Sequence, residues 1–127
     1  MPVATLELVD FARRYLAALV ARDTEYLATT SFDSEDCRYL GIGSPPEEYW
    51  DLDQLISHLA DFPPTRFVGS EPKGYCEGDI AWFTDFPGCE LPDGTVLSMR
   101  ITLVLRRIDG DWKAVHFHVS EGVARSI

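Results

Sequence analysis

The chain has 127 residues, enough for one domain with a core of its own. It is 46% hydrophobic and 25% charged, which is typical of a globular protein rather than a disordered one. The formal net charge of −10 repels phosphate backbones and anionic membrane surfaces, so neither nucleic acid nor membrane is an expected partner.

Targeting signals and cysteine motifs give little information about the function of the chain. No basic segment followed by an apolar stretch opens the chain, and no apolar run approaches the ~20 residues of a membrane helix, so we expect a cytoplasmic protein. The three cysteines form no Cys-x-x-Cys pair, and we expect free thiols at Cys37, Cys76 and Cys89. No cofactor is expected.

Helical patterns come first along the chain. Apolar residues recur at three- and four-residue steps over 3–21, which predicts a first helix. Asp23 is placed to cap a second, short helix over 25–29. After a strand predicted over 37–42, with a loop rich in Gly and Pro beginning at Gly41, the pair Asp51-x-x-Gln54 has the spacing of a capping box for a third helix.

Strand patterns then follow without interruption to the end of the chain. Residues that favour turns separate the segments, and the predicted strands cover 65–70, 74–77, 80–86, 95–108 and 112–120. Helices followed by an antiparallel meander indicate one α+β domain over residues 1–127.

The last hairpin determines which side chains share a face. A three-residue loop with Gly110 at a bulge would pair Leu103 with Val115 and Ile101 with Phe117, keeping apolar residues on one face. A two-residue turn on Asp109-Gly110 would pair Ile108 with Asp111 and set Leu103 opposite His116, which would mix apolar and polar faces. The bulged register leaves a second, polar face on which Arg100 lies opposite His118. The polar side chains of that face are Ser98, Arg100, Thr102, His116, His118 and Ser120.

Two interpretations of the polar face remain open. It is the solvated side of a two-faced sheet, or it is the lining of a pocket with a few convergent polar groups. The histidines favour the pocket, because Lys and Glu are the usual residues on an open sheet face.

The order of motifs resembles known families. Residues 107–120, Arg-Ile-Asp-Gly-Asp-Trp-Lys-Ala-Val-His-Phe-His-Val-Ser, are similar to the last hairpin of the calcium/calmodulin-dependent kinase II association domain. Residues 39–50 resemble the Gly-Thr-x-Pro-x-Glu-x-Trp loop of bacterial SnoaL-like proteins, and residues 80–83 fit their third strand. Both families belong to the nuclear-transport-factor-2-like superfamily.

The resemblance implies a cystatin-like cone, in which N-terminal helices pack in a strongly curved antiparallel sheet around an internal pocket. It also implies homodimers, formed through the outer sheet face. Carried over by position, Arg100, His116 and His118 face the pocket, and Thr84 stands where the family has a second arginine. The expected pocket residues are Arg100, His116, His118, Trp82, Thr84, Phe86, Trp50, Thr102 and Ser98.

Three functions follow as hypotheses. The first is binding of a small molecule, with an anion favoured because the planar guanidinium of Arg100 matches a carboxylate. An internal Arg100–Glu48 ion pair is the structural alternative. The second is an isomerase, cyclase or hydrolase of the ketosteroid-isomerase-like kind, in which His116 or His118 moves a proton; Asp85 is a poor base, since alternation puts it on the opposite face. The third is an oligomerisation module.

Metal binding and assembly complete the expectations. His116-x-His118 places two imidazoles on one strand face, but no third ligand is evident, with Glu48 and His58 as guesses, so no metal site is assigned. The apolar face of the hairpin would be too large to leave bare, so we expect a second copy of the chain to cover it. That face consists of Met99, Ile101, Leu103, Leu105, Val115, Phe117 and Val119.

Overall fold

The computed structural model describes residues 2–126. Within this range the chain forms three helices and eight strands. The helices are α1 (Leu6–Ala21), α2 (Thr24–Thr30) and α3 (Leu52–Ala60). The strands are β1 (Gly41–Ile42), β2 (Tyr49–Trp50), β3 (Arg66–Val68), β4 (Lys73–Glu77), β5 (Ile80–Asp85), β6 (Gly88–Glu90), β7 (Val96–Ile108) and β8 (Asp111–Glu121). None of these helices is long and apolar enough to cross a membrane.

The helix starts follow from their caps. Asp23 accepts a hydrogen bond from the backbone N–H of Tyr26 at 3.2 Å, which begins α2. The predicted capping box of α3 is confirmed: Asp51 accepts from the N–H of Gln54 at 2.8 Å, and Gln54 accepts from the N–H of Asp51 at 3.0 Å. These caps set the residues at which α2 and α3 begin.

The sheet confirms the α+β class. Its strand order is β2-β1-β8-β7-β5-β4, and β6 pairs with both β7 and β3. All pairs between these strands are antiparallel except that of β1 with β8, which is parallel. The predicted strand over 37–42 is reduced to Gly41–Ile42, because residues 38–39 form a turn. Two further short strands, β2 and β6, lie where the sequence indicated only loop and turn.

The predicted register of the last hairpin is wrong in detail. Asp109 (φ 52°) and Gly110 (φ 86°) form a two-residue turn that pairs Ile108 with Asp111. Both positive φ values fit a type I′ turn. The bulge lies further along, at Val115, between the pairs formed by Val104 and Leu105.

The displaced bulge changes every partner and keeps the faces from His116 onwards. Leu103 pairs with Phe117 and Ile101 with Val119, so apolar residues still share a side. On the polar side, Arg100 pairs with Ser120 rather than with His118.

Before the bulge the predicted faces of β8 are wrong. Val115 is the extra residue, and Ala114, expected on the polar face, pairs with Leu105 and is buried. One extra residue in a strand exchanges the two faces on either side of it.

The apolar side of the sheet is the core of the molecule. We call it the inner face; helices pack on it, and the ring of Tyr15 in α1 meets the ring of Phe117 edge-on at 6.2 Å. Its buried side chains include Ala81, Phe83, Ile101, Leu103, Leu105, Ala114 and Phe117. The expectation that a second chain covers this face is therefore wrong, because the chain's own helices cover it.

Candidate functional site

A cavity of about 250 Å³ lies between the end of α1, helix α3 and the inner face of the sheet. We call it the cone cavity. Its wall is mostly apolar and includes Leu19, Leu55, Leu59, Phe67, Met99 and Phe117. For comparison, an engineered apolar cavity of about 150 Å³ holds a benzene molecule. The cone cavity has room for a substituted aromatic ring or a short branched chain.

Arg22 is a cation in the cavity lining. Its Nη1 donates to the carbonyl of Leu19 at 3.0 Å, while its Nε is buried without a hydrogen-bond partner. No ion pair within residues 2–126 joins Arg22 to a carboxylate. Burial lowers the pKa of the Arg22 guanidinium below its ordinary value, because the charged form loses water. The group is short of an acceptor that would stabilise its charge.

The backbone conformation that places Arg22 in the lining is unfavourable in free energy. It ends α1 with φ 62° and ψ 35°, in the left-handed region where helices usually carry Gly. A side chain in that conformation costs on the order of 1 kcal/mol. The residue therefore keeps a strained geometry that turns a guanidinium towards the cavity lining.

An aromatic cluster forms one part of the site. His58, in the last turn of α3, lies between Trp50 and Phe62, with ring centroids 4.6 Å and 4.7 Å away. Trp50 and His58 line the cone cavity. The rings are tilted by 34° and 46°, and contacts on both sides restrict the orientation of the imidazole.

Two further polar groups complete the lining. Glu48 lies in the loop between β1 and β2, and Cys89 lies in β6. The Cys89 thiol is buried and donates a weak hydrogen bond to the Thr65 hydroxyl, with Sγ and Oγ1 3.5 Å apart. The cavity thus combines a cation, a carboxylate, an imidazole and a thiol against an apolar wall.

Most of the pocket residues expected from the sequence lie on the opposite side of the sheet. We call this side the outer face; it carries Lys73, Tyr75, Glu77, Ile80, Trp82, Thr84, Ser98, Arg100, Thr102, Val104, Arg106, Ile108, Asp111, Lys113, His116, His118 and Ser120. Five of the expected residues border a shallow depression there, namely Thr84, Phe86, Arg100, Thr102 and His118. That this depression binds a ligand stays a prediction.

The remaining expected residues are not brought to that depression. His116 shares a hydrogen bond of 2.8 Å between its Nδ1 and the carbonyl oxygen of Tyr39. Trp82 packs against Tyr75, with ring centroids 6.0 Å apart. Ser98 is exposed and pairs with Gly88. Among the nine expected residues, Trp50 is the one that lines the cone cavity.

Arg100 does not bridge to Glu48. Its guanidinium lies over the ring of Phe86, 5.3 Å from the centroid, on the exposed side of the sheet. Glu48 lines the cavity on the other side. The candidate metal ligands are separated in the same way. Glu48 and His58 lie on the cavity side of the sheet, whereas His116 and His118 lie on the outer face. No cluster of three metal-ligating side chains occurs within residues 2–126.

Sequence reasoning missed Arg22 altogether. An arginine followed by Asp23 at the end of a helix resembles an ordinary solvated pair, and its positive φ is visible only in the backbone. The sequence offers Glu48 and His58 only as guesses for a third metal ligand, and Glu48 as a partner of Arg100, without the cavity that joins them. The Pro-rich loop before Trp50 was the available signal, since it carries Glu48 to the cavity.

The comparison with family models decides the family. The model of the SnoaL-like domain matches residues 9–125. The chain belongs to the SnoaL-like domain family. The resemblance noted in the sequence is thereby confirmed. No curated protein matches the chain.

Solved structures confirm the cystatin-like fold of this SnoaL-like domain. An NTF2-like protein of unknown function from Pseudomonas putida KT2440 is 19% identical, with a TM-score of 0.76, covering 94% of this chain and 87% of that one. The CamKII hub homology domain from Chlamydomonas reinhardtii is 20% identical, with a TM-score of 0.70 and coverage of 92% and 97%. An uncharacterised protein with a cystatin-like fold from Caulobacter vibrioides is 14% identical, with a TM-score of 0.66 and coverage of 93% and 87%. At these identities the likeness concerns the fold alone.

Proposed function

We propose that this SnoaL-like domain binds a small organic anion with an apolar body in the cone cavity, and that Arg22 holds the anionic group. The observation that carries the proposal is the buried Nε of Arg22, which lacks a partner in the lining of an apolar cavity. An arginine keeps its proton at any ordinary pH, so a desolvated guanidinium needs an acceptor. A ligand carboxylate supplies two acceptor oxygens in the geometry of the guanidinium fork.

Thermal shift with matched probes tests this proposal. We expect 4-methylbenzoate to raise the melting temperature in a saturable way, and the uncharged 4-methylbenzamide to have little effect, since binding to the folded state alone stabilises it. Arg22→Met should abolish the carboxylate-dependent shift, and Arg22→Lys should retain part of it. Arg100→Met is the control: it removes an arginine from the outer face and should leave the shift unchanged. A shift that survives Arg22→Met, or no shift with any carboxylate, contradicts the proposal.

A second candidate is catalysis of proton transfer in the same cavity, as in an isomerase. The observation that favours it is His58, which lines the cavity with its ring held between Trp50 and Phe62. A positioned imidazole can remove a proton from the carbon next to a ketone carbonyl. Incorporation of deuterium from heavy water at that carbon of a keto acid, followed by NMR, tests it; His58→Gln should stop the exchange, and exchange that is unchanged in the variant excludes His58 as the base.

We also propose that the domain forms a two-fold homodimer through the outer face. Large aromatic and aliphatic side chains are only partly buried on it: Tyr75 is 45% exposed and Ile80 is 37% exposed, and Trp82 pairs with Tyr75 on one side and with Val104 on the other. We call these four side chains the aromatic patch. Aromatic residues at this density favour an interface over a solvated surface. The aromatic patch replaces the inner face as the expected contact, because helices already cover the inner face.

A further inference from the structure

Two opposite charges line the cone cavity without meeting. Arg22 and Glu48 are both in its lining, yet no ion pair joins them, so their charged atoms lie more than the 4.0 Å of an ion pair apart. Glu48 is half-buried; the hydrogen bonds found for it within residues 2–126 are made by its backbone, and none of the ion pairs there involves its carboxylate. Each charge is thus available to a ligand that reaches both.

The loop that carries Glu48 holds it in place through the backbone. The N–H of Glu48 donates to the carbonyl of Pro45 at 3.0 Å, and the N–H of Gly43 donates to the carbonyl of Glu48 at 2.9 Å. A side chain at position 43 would collide with this arrangement, because its Cβ would lie 2.4 Å from Glu48 Oε1 and 2.8 Å from the ring of Trp50. Gly43 therefore leaves the space in which the carboxylate lies.

We propose that Glu48 is a second anchor, and that the ligand of the cone cavity carries an ammonium group for Glu48 as well as a carboxylate for Arg22. The inference rests on the proposed function of the cavity. A ligand with both charges satisfies both side chains at once, and each charged hydrogen bond compensates for the water that is lost.

The net charge of the chain supports a ligand that is neutral overall. At −10, the protein repels a simple anion as it approaches, whereas a molecule bearing both charges is not repelled at long range. The lining that carries both charges is otherwise mostly apolar, which favours a ligand with an apolar body between its charges. The ligand class is therefore an amino acid whose ammonium and carboxylate stand at opposite ends of an aromatic or aliphatic frame.

Calorimetry with three matched probes tests the inference. The probes are 4-(aminomethyl)benzoate, which carries both charges, 4-methylbenzoate, which carries only the carboxylate, and benzylamine, which carries only the ammonium. We expect the first to bind about tenfold more tightly than either of the others, the gain that one charged hydrogen bond provides. Glu48→Gln should remove this advantage and leave the affinity for 4-methylbenzoate unchanged or higher. Glu47→Gln is the matched control, since it removes the same charge from the exposed neighbouring residue.

The outcomes separate this inference from the proposed function. If 4-methylbenzoate binds through Arg22 and the aminomethyl group adds nothing, Glu48 is not an anchor but the anion site stands. If the advantage of the ammonium falls equally in Glu47→Gln and Glu48→Gln, the general negative field is responsible and the inference is wrong. If binding of the carboxylate does not depend on Arg22, the proposed function itself fails.

Discussion

At the scale of single residues, Asp85 shows how a buried charge is used for structure. It is 3% exposed, and its carboxylate accepts from the Ser70 hydroxyl at 2.6 Å and from the N–H groups of Glu71 and Phe86 at 3.0 Å and 2.9 Å. One side chain thereby satisfies donors from two separate segments. The carboxylate ties the segment before β4 to the end of β5.

We expect Asp85→Ala to lower the free energy of unfolding by roughly 2–4 kcal/mol, because it leaves buried donors without an acceptor. Urea unfolding measures the change. Asp93→Ala is the control: Asp93 accepts from the N–H of Thr95 at 2.9 Å but is exposed, and its loss should lower the free energy of unfolding far less than the loss of Asp85. Equal effects of the two changes would show that Asp85 has no special structural role.

The same scale shows a limit of sequence reasoning about the site. Alternation placed Arg100 on a defined strand face, and the structure confirms that His118, Thr102 and Arg100 share a side. Arg22 offered no such pattern, since its importance comes from a left-handed backbone that carries it into the cavity lining. Single-residue backbone conformations outside helices and strands leave almost no signal in hydrophobic periodicity.

At the scale of elements, the β7–β8 hairpin joins the two longest strands of the sheet. Its turn needs positive φ at both central positions, which Asp and Gly tolerate and β-branched residues do not. The sequence signal Asp109-Gly110 was correct for a turn, but it fits two loop lengths. Short strands such as β2 were missed because two residues are too few for a periodicity to appear.

We expect Asp109→Val to destabilise the protein by about 1–2 kcal/mol, since a β-branched side chain is strained at φ 52°. Asp109→Asn should be neutral or slightly stabilising, because Asn favours this position of a type I′ turn. Thermal unfolding of both variants measures the difference. If Asp109→Val is as stable as the wild type, the hairpin has a different turn, such as the three-residue loop with its bulge at Gly110.

At the scale of the whole molecule, the decisive step is the choice of which sheet face the helices cover. Periodicity divided β7, and β8 beyond its bulge, correctly into an apolar and a polar side. Which side the helices cover is a property of the packed chain: they cover the apolar side, where Leu103 and Phe117 are almost fully buried. The family resemblance then directed the polar side into the pocket, and the structure places it outside.

The outer face has a charge opposite to that of the molecule. The chain as a whole carries −10, yet on strands β4, β5, β7 and β8 this face has more cations than acidic residues. The cations are Lys73, Arg100, Arg106 and Lys113, and the acidic residues are Glu77 and Asp111. A two-fold dimer brings two copies of the same surface together, so like charges approach each other across the axis. The aromatic patch around Trp82 would have to outweigh this repulsion.

We therefore expect the dimer to become tighter as salt is raised from about 0.05 M to 0.5 M, because screening weakens the repulsion between the two outer faces. Arg106→Gln should tighten the dimer at low salt and reduce the salt dependence. Arg14→Gln is the control, since it removes the same charge from helix α1, away from the sheet. Trp82→Glu should give folded monomers. Sedimentation velocity measures the dimerisation of the wild type and of the three variants. A monomer at every salt concentration, or a dimer that survives Trp82→Glu, contradicts assembly through the outer face.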